Sequence, residues 1–217
     1  MHGLRLRIAP ASSHPGPMSE GRPVRWNHNI HHHRRILDVG PDGAQTALDV
    51  GTGDGLLASE LRDRVPHVTG LDLDATALGS ARGRDTDVTW VQGDVMTVPL
   101  PTASFDVVAS IATVHHLPDL DRALHRFAEL TAPGGVVAVV GLAQNSSPLD
   151  YAYEVAGLLQ HRRLSRRHGY WEHSAPTAPP SHTYADVRRS ADRVLPGARW
   201  LRLPLWRYSL VWRKPSR

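Results

Sequence analysis

The sequence predicts an α/β protein in which a mostly parallel sheet is covered by helices on both faces. Between residues 46 and 142, short runs rich in Val, Leu and Ala alternate with segments whose apolar residues recur at helical spacing. Loops rich in Gly and Asp follow several of the apolar runs. This alternation is typical of βαβ units, whose parallel sheets bind ligands at the carboxyl ends of the strands.

The elements can be predicted in chain order. Trp26, Ile30, His33 and Leu37 recur at helical spacing, which predicts a helix before the sheet. Strands are predicted at residues 47–50, 68–73, 88–91, 105–110, 135–142, 199–205 and 206–212. Helices are predicted at residues 56–65, 75–81, 117–130, 151–164 and 184–194. The last two strands are spaced for a hairpin or an antiparallel sheet edge.

The chain is long enough for a single domain. Residues 1–24 are expected to be a flexible leader, and residues 25–217 one domain. Within that domain we expect a core at 46–142, a lid or substrate insertion at 143–182, and a C-terminal helix and strand pair at 183–217. The basic run at 161–168 is predicted to be the solvated face of a lid helix.

The composition favours a cytoplasmic protein. Cys is absent, which excludes disulfides and thiolate metal sites. No apolar run approaches the roughly 18 residues of a membrane helix, so no membrane span is predicted. The net charge of +4 comes almost wholly from Arg, a bias typical of GC-rich genomes. Nucleic-acid binding is therefore not favoured by the charge alone.

A glycine-rich segment, Asp49-Val50-Gly51-Thr52-Gly53-Asp54-Gly55, connects the first core strand to a helix. Such a loop brings bare backbone close to a ligand, and the helix N-terminus favours negative charge. The loop predicts a site for a nucleotide or a carboxylate, although Gly at a strand end is often only a turn.

Two acidic residues follow the next two strands. Asp72 comes 21 residues after Gly51 and is placed to accept both hydroxyls of a ribose. Asp94, in the sequence QGDV, is placed to accept from an exocyclic amine such as that of adenine. Either acid alone could equally cap a helix. Together with the glycine loop they predict a nucleoside site.

This constellation resembles the class I S-adenosylmethionine-dependent methyltransferases. Five sequences carry the resemblance, in order between residues 47 and 142: DVGTGDG, GLDLD, QGDVMTVPL, FDVVASIATVHHL and LTAPGGVVAVVGL. The resemblance implies a Rossmann-like, doubly wound fold with a mostly parallel seven-stranded sheet whose last strand is antiparallel. It also implies S-adenosyl-L-methionine as cofactor and methyl transfer as activity.

The resemblance assigns the glycine loop to the methionine part of the cofactor. Gly51, Thr52, Gly53 and Gly55 would shape the loop around it, and Asp49 would buttress the loop and its contact to the amino group. Backbone groups after the fourth core strand would also contact the methionine part, at Ser110 and Ile111.

The nucleoside part of the cofactor is assigned to the next two strand ends. Asp72 would hold the ribose hydroxyls, and Leu73 would pack on the adenine. Asp94 would accept the adenine amine, while the N–H of Val95 would reach a ring nitrogen.

A nicotinamide dinucleotide fold is the main alternative, because it also has a glycine loop and an acid after the second strand. In its GxGxxG pattern a third Gly lets the helix approach the strand, but Leu56 stands at that place. Such an enzyme would have no need of Asp94. The methyltransferase interpretation is therefore favoured.

Two pairs of His are candidates for a general base, which is needed only if the acceptor must lose a proton. His115 and His116 follow the fourth core strand, and His115 is preferred by proximity to the expected methyl group. Adjacent His residues before Leu117 and Pro118 more often simply hydrogen-bond a loop. His28 and His31 lie in the N-terminal segment, which often covers the cofactor in this family. No metal site is predicted, because the successive His residues at 31–33 point in different directions on a helix.

Residues that bind the acceptor are predicted in the N-terminal segment and in the insertion, where loops carry specificity. The candidates are Trp26, His28, His31, Tyr170, Trp171 and His173. Trp26 could be a cation–π partner of the sulfonium, although at this helical spacing a Trp is more often part of the core. Trp200, Trp206 and Trp212 are predicted to pack on the sheet.

The sequence thus predicts a methyltransferase that acts on a small molecule. A nucleic-acid methyltransferase and a non-catalytic S-adenosylmethionine-binding protein are the alternatives. The oligomeric state stays open.

Overall fold

The computed structural model describes residues 18–19, 22–23, 25–171 and 179–216. At its start, β1 (Met18–Ser19) and β2 (Arg22–Pro23) pair antiparallel. Most of the expected leader and residues 172–178 of the expected insertion lie outside the described residues. The domain boundaries stay predictions.

The main sheet has seven strands in the order β5-β4-β3-β6-β7-β9-β8. They are β3 (Thr46–Val50), β4 (His67–Asp72), β5 (Thr89–Gln92), β6 (Phe105–Ile111), β7 (Thr131–Gly141), β8 (Arg199–Leu203) and β9 (Arg207–Arg213). Strands β3 to β7 pair in parallel, and β9 lies antiparallel between β7 and β8. The predicted seven-stranded, mostly parallel sheet with an antiparallel last strand is confirmed.

Helices connect the strands. In the described part of the chain they are α1 (His33–Leu37), α2 (Leu56–Arg62), α3 (Ala75–Arg84), α4 (Leu120–Leu130), α5 (Pro148–His168) and α6 (Tyr184–Val194). Short 3-10 turns occur at Ile30–His32 and Val114–His116. No helix among these is long and apolar enough to cross a membrane.

The core has two halves, one on each face of the sheet. On one face, Leu48 and Val108 pack in a cluster with Phe127 of α4 and residues of α6. On the other, Ala47 and Val107 pack in a cluster with Ile36 of α1 and residues of α2. Because successive strand residues point to opposite faces, apolar strands of this kind require helices on both sides. The doubly wound arrangement follows from this pattern.

The sheet order fixes where a ligand can bind. The chain builds β3, β4 and β5 toward one edge, and then returns to place β6 on the other side of β3. Loops that leave the carboxyl ends of β3 and β6 therefore diverge and open a crevice, which is the usual ligand site of such sheets.

The N-terminal helix is shorter than predicted. The prediction that Trp26 begins it is wrong, because helical structure starts only with the 3-10 turn at Ile30. The side-chain oxygen of Asn27 accepts hydrogen bonds from the N–H groups of Asn29 and Ile30, both at 2.9 Å. Such a local bond competes with the helix, which is why Asn favours helix starts and turns.

Two other boundaries differ from the predictions. α4 begins at Leu120 instead of Leu117, because the Asp119 side chain caps it by accepting from the N–H of Arg122. β7 begins at Thr131, directly after α4, and not at residue 135.

The prediction that Trp206 packs on the sheet is wrong. Trp206 lies in the turn between β8 and β9, where it and Leu205 both have positive φ. This conformation is usual in tight hairpin turns but uncommon for bulky residues. Its ring instead lies 5.1 Å from that of His28 and 5.9 Å from that of His161, between ring centroids. Trp212 is buried in the core, as predicted.

Candidate functional site

A cavity of about 510 Å³ lies at the carboxyl ends of the central strands. This volume is within the range of small-molecule sites, about 300 to 1,000 Å³. Many of the predicted site residues line it: Asp49, Gly51, Thr52, Gly53, Asp72, Leu73, Asp94, Val95, Ile111, His115, His116 and Trp171. Residues from five separate stretches of the sequence, at 49–53, 72–73, 94–95, 111–116 and 171, thus meet in one pocket.

The glycine loop forms one wall of the cavity. Gly51, Gly53 and Gly55 have φ of 72°, 53° and 77°, a region that side chains other than hydrogen disfavour. A Cβ on Gly51 would lie 2.0 Å from Oγ1 of Thr113, and one on Gly55 would lie 2.4 Å from the Trp90 ring. A Cβ on Gly53 would meet nothing within 4 Å. The loop therefore offers bare backbone to the cavity at Gly53.

Asp49 stabilises the glycine loop through a buried hydrogen bond. It is 1% exposed, and its carboxylate accepts a hydrogen bond of 2.7 Å from the hydroxyl of Thr52. Burial raises the pKa of Asp49 to about 6, and the negative charge of Asp72 adds to the shift. A cationic ligand in the cavity would favour its ionised form.

Asp72 fixes the loop after β3 to the end of β4. One carboxylate oxygen accepts from the N–H of Gly53 at 2.7 Å, and the other accepts from the N–H of Asp74 at 2.9 Å. A carboxylate has about four acceptor positions, so Asp72 keeps capacity for ligand hydroxyls. The backbone of Gly51 and Thr52 adds two bonds to the carbonyl of Leu71, at 2.8 and 3.0 Å.

Asp94 and Leu73 lie where the cavity wall continues beyond β4 and β5. One carboxylate oxygen of Asp94 accepts from the N–H of Met96 at 2.9 Å, which leaves the other oxygen available. Leu73 is 67% exposed although it is a large apolar residue that lines the cavity. Apolar surface of this kind suits a flat ring as ligand.

Two residues predicted to bind the cofactor have structural roles instead of lining the cavity. Ser110 is fully buried, and its hydroxyl donates to the carbonyl of Val50 at 3.0 Å, which joins β6 to β3. Gly55 allows the close packing of Trp90 and Ala81 at the start of α2. Their predicted contacts to the cofactor stay predictions.

The histidine pair forms the opposite part of the wall. His115 is buried, and its Nδ1 has no hydrogen-bond partner among the described residues. Burial lowers the pKa of His115 to about 4, with further contributions from the charges of His116 and Arg207. The ring is therefore neutral near pH 7 and can accept a proton or a hydrogen bond. His116 is exposed, with its ring centroid 4.0 Å from that of His115.

Most residues predicted to bind the acceptor do not line the cavity. Trp26 is buried in a ring cluster, with His28, His31, Tyr170 and His161 all within 6.3 Å between centroids. The geometry of the cavity gives the predicted acceptor contacts of Trp26, His28, His31 and Tyr170 no support. His173 lies outside the described residues.

The cluster is held together by polar contacts as well as by ring packing. His28 and His161 share a hydrogen bond of 2.9 Å between ring nitrogens. Burial lowers the pKa of His28 to about 3, and the charges of Arg207 and His161 act in the same direction. Among the described residues, no group of three or more potential ligands is arranged to hold a metal ion.

The wall also contains residues that the sequence did not predict for the site, among them the polar residues Asn27, Asn29 and Arg207. Arg207 is 6% exposed and opens β9, in the otherwise mostly apolar segment WRYSLVW. An Arg at an inward-facing position of an apolar strand is unusual, and this could have indicated a functional role for Arg207. The two Asn residues precede α1 and carried no comparable signal.

Comparison with known proteins gives the family. Residues 48–139 match the family model described as a methyltransferase domain. The chain is also 40% identical over 193 residues to an uncharacterized methyltransferase of Mycobacterium tuberculosis (strain ATCC 25618 / H37Rv), across 88% of this chain and 98% of that protein. The chain belongs to the S-adenosylmethionine-dependent methyltransferases.

Other relatives of the methyltransferase are more distant. It is 38% identical over 101 residues to the malonyl-(acyl-carrier protein) O-methyltransferase of Enterobacter lignolyticus (strain SCF1), across 46% of this chain and 40% of that one. It is 32% identical over 149 residues to the ubiquinone biosynthesis O-methyltransferase of Azoarcus sp. (strain BH72), across 65% and 61%. The solved structure of the 4+2 cyclase SpnF has the same fold, with a TM-score of 0.63 and 16% identity over 95% of this chain and 89% of that one.

S-adenosyl-L-methionine is therefore the cofactor of this methyltransferase. The residues present fit it. Gly53 leaves open space where a side chain would stand, and Asp72 and Asp94 present carboxylates to the same cavity. The predicted family, fold, enzyme class and cofactor are confirmed.

Proposed function

We propose that this methyltransferase transfers the methyl group to a small-molecule acceptor bound between the glycine loop and the histidine pair. One observation carries the proposal: a single cavity of about 510 Å³ joins the loops after β3, β4 and β5 to His115 and Trp171. The cofactor residues lie on one side of this space, which leaves the other side for the acceptor. The two O-methyltransferase relatives, named for malonyl-(acyl-carrier protein) and for ubiquinone biosynthesis, also favour an acceptor other than nucleic acid.

In this proposal Asp72 holds the ribose hydroxyls of the cofactor, Asp94 accepts the adenine amine, and Leu73 packs on the adenine ring. Gly51, Gly53 and Asp49 surround the methionine part. When bound, S-adenosyl-L-methionine supplies an electrophilic methyl group on a sulfonium. The task of the chain is then to align the nucleophile with this group and to exclude water.

His115 is the proposed proton acceptor for an acceptor group that must be deprotonated. Its ring is neutral near pH 7, lines the cavity and has an unpaired nitrogen. Because its pKa is low, His115 suits an acidic nucleophile or a hydrogen-bonding role better than it suits the deprotonation of a simple alcohol.

A nucleic-acid acceptor has one feature in its favour. Arg162, Arg163, Arg166 and Arg167 form an exposed basic cleft with Leu159 on α5. These residues do not line the cofactor cavity, and no aromatic side chain stands among them to stack on bases. The small-molecule proposal is therefore preferred.

The experiment is a calorimetric titration with S-adenosylmethionine, S-adenosylhomocysteine and NAD in parallel. We expect micromolar binding of the first two and none of NAD. Asp72→Ala should weaken both at least about tenfold, because it removes a charged hydrogen-bond acceptor and the bond to the loop at Gly53. Asp63→Ala, which removes an exposed acid at the end of α2, is the matched control and should bind as wild type.

Three outcomes would contradict the proposal. Binding of NAD alone, or of no nucleotide, would leave only the fold. Transfer of labelled methyl groups to RNA or DNA, with binding that falls steeply with salt, would replace the small-molecule acceptor by a nucleic acid. Tight cofactor binding without transfer to any metabolite extract would favour a non-catalytic role.

A further inference from the structure

The wall of the cavity contains a buried cation, Arg207, and no carboxylate among the described residues lies close enough to pair with it. Arg207 is 6% exposed and lines the wall, and its Nε is buried without a hydrogen-bond partner. Nη2 donates to the side-chain oxygen of Asn29 at 2.9 Å, and Nη1 makes only long bonds of 3.4 Å to the carbonyls of Leu205 and Trp206. Among the described residues, no carboxylate lies within 4.0 Å of the guanidinium.

A neighbouring arginine gives the contrast, because its charge is paired with an acid although its Nε and Nη2 also lack hydrogen bonds among the described residues. Arg202, on β8, is 9% exposed. Its Nε lies 3.6 Å from a carboxylate oxygen of Asp150, and its guanidinium carbon lies 3.6 Å from the ring centroid of Tyr184. Arg202 does not line the cavity. The two arginines have similar burial, but only Arg207 faces the pocket, and in the part of the chain that the structure describes only Arg202 has an acid within 4.0 Å.

An unpaired buried charge is costly, and a guanidinium is built to bind carboxylate or phosphate oxygens through two parallel hydrogen bonds. We propose that Arg207, with Asn29 beside it, binds an anionic oxygen group, carboxylate or phosphate, on the methyl acceptor. This inference rests on the proposed small-molecule function and deepens it: the acceptor carries a negative charge.

The position of Arg207 separates it from the proposed cofactor residues. These follow β3, β4 and β5, whereas Arg207 opens β9, which is three strands from β3. At about 4.8 Å per strand the two are separated by roughly 14 Å along the sheet. Arg207 lies on the same side of β3 as His115, which follows β6. The charges of Arg207 and His116 both act on the His115 ring. An acceptor held by Arg207 would therefore extend toward the histidine pair.

The test is calorimetry on protein saturated with S-adenosylhomocysteine, titrated with malonate, inorganic phosphate and, as a neutral analogue, malonamide. We expect at least one oxyanion to bind and malonamide not to bind. Arg207→Met should weaken that binding at least about tenfold, and Arg202→Met should change it less than about threefold. The preferred anion distinguishes a carboxylate from a phosphate acceptor.

A second variant keeps Arg207 and neutralises it in place. Asn29→Asp puts a carboxylate where Nη2 now donates to an amide oxygen, so it should abolish oxyanion binding while leaving the affinity for S-adenosylhomocysteine within about threefold of wild type. This variant tests whether Arg207 binds the oxyanion even if Arg207→Met does not fold.

Other results would overturn the inference. Oxyanion binding that is absent from the wild type, or unchanged in both Arg207→Met and Asn29→Asp, would remove Arg207 from the acceptor site. A loss of S-adenosylhomocysteine binding in Arg207→Met would assign the guanidinium to the cofactor. Failure of the wild type to bind any cofactor would instead contradict the proposed function. Titration of the cofactor-free protein with the same anions would then still test whether Arg207 binds an oxyanion.

Discussion

At the scale of single residues, two glycines of the same loop have different reasons to be glycine. Gly51 and Gly53 both have positive φ. A side chain on Gly51 would collide with Thr113 at 2.0 Å, whereas a side chain on Gly53 would stand in open space at the cavity wall. Substitution of the first should therefore affect folding, and substitution of the second should affect binding.

We expect Gly51→Ala to lower the free energy of unfolding by more than about 2 kcal/mol, because positive φ and overpacking add. Gly53→Ala should cost only about 1 kcal/mol but weaken S-adenosylhomocysteine at least about tenfold, since its methyl group would occupy ligand space. Urea unfolding and calorimetric titration measure the two effects.

Gly43→Ala is the control for backbone strain alone. Gly43 has φ of 73°, and a Cβ there would meet nothing within 4 Å, but it lies outside the cavity. It should cost about as much stability as Gly53→Ala without changing affinity. Equal affinity of Gly53→Ala and wild type would mean that the loop does not approach the cofactor.

Residues close in sequence were easier to predict than residues brought together by the fold. The loop from Asp49 to Gly53 lines the cavity as expected, because β3 leads into it and α2 begins just after it, which fixes the path of the backbone. The contact between Asn29 and Arg207 joins positions 178 residues apart, so no local pattern could indicate it. The packing of Trp26 against His161 and Tyr170 could not be predicted for the same reason.

At the scale of elements, α4 and α5 are attached to the protein very differently. α4 buries Leu120, Leu124, Phe127 and Leu130 in the core, whereas α5, with 21 residues, buries only Asp150 and Gly157. Helical propensity and capping make α5 predictable from sequence. Polar and ring contacts hold it to the domain. The Asp150 carboxylate accepts from the N–H groups of Ser146 and Ser147 and lies 3.6 Å from Nε of Arg202, and His161 packs in the ring cluster around Trp26.

We expect α5 to open separately from the sheet, as a lid would. Each buried Leu or Phe contributes roughly 1.5 to 3 kcal/mol, so amides of α5 should exchange through openings at least about 2 kcal/mol less costly than those of α4. Native-state hydrogen exchange read by mass spectrometry measures both helices in one sample. Asp150→Asn should speed exchange in α5 and leave α4 unchanged. Equal protection of the two helices would exclude an independently moving α5.

At the scale of the whole molecule, buried histidines make stability depend on pH. Burial is the largest cause that lowers the pKa of His28 and His32 to about 3 and of His115 to about 4, and the charge of Arg207 adds to each shift. Below about pH 6.5 the unfolded chain binds protons at these rings and the native state does not, so stability falls. Asp49 acts in the opposite direction, because its raised pKa of about 6 lets the native state take up a proton first.

Three rings outweigh one carboxyl, so the free energy of unfolding should be lower at pH 5.5 than at pH 7.5. Allowing for partial solvent access to the rings, we expect a loss of about 1 to 3 kcal/mol, measured by urea unfolding at both pH values. His32→Asn should reduce the loss, since it removes a ring that is 2% exposed. His67→Asn, on an exposed ring at the start of β4, should leave it unchanged. Equal stability at the two pH values would mean that the native protein accepts protons at these rings as readily as the unfolded chain does, and that their burial in the cluster and the cavity wall is not maintained in solution.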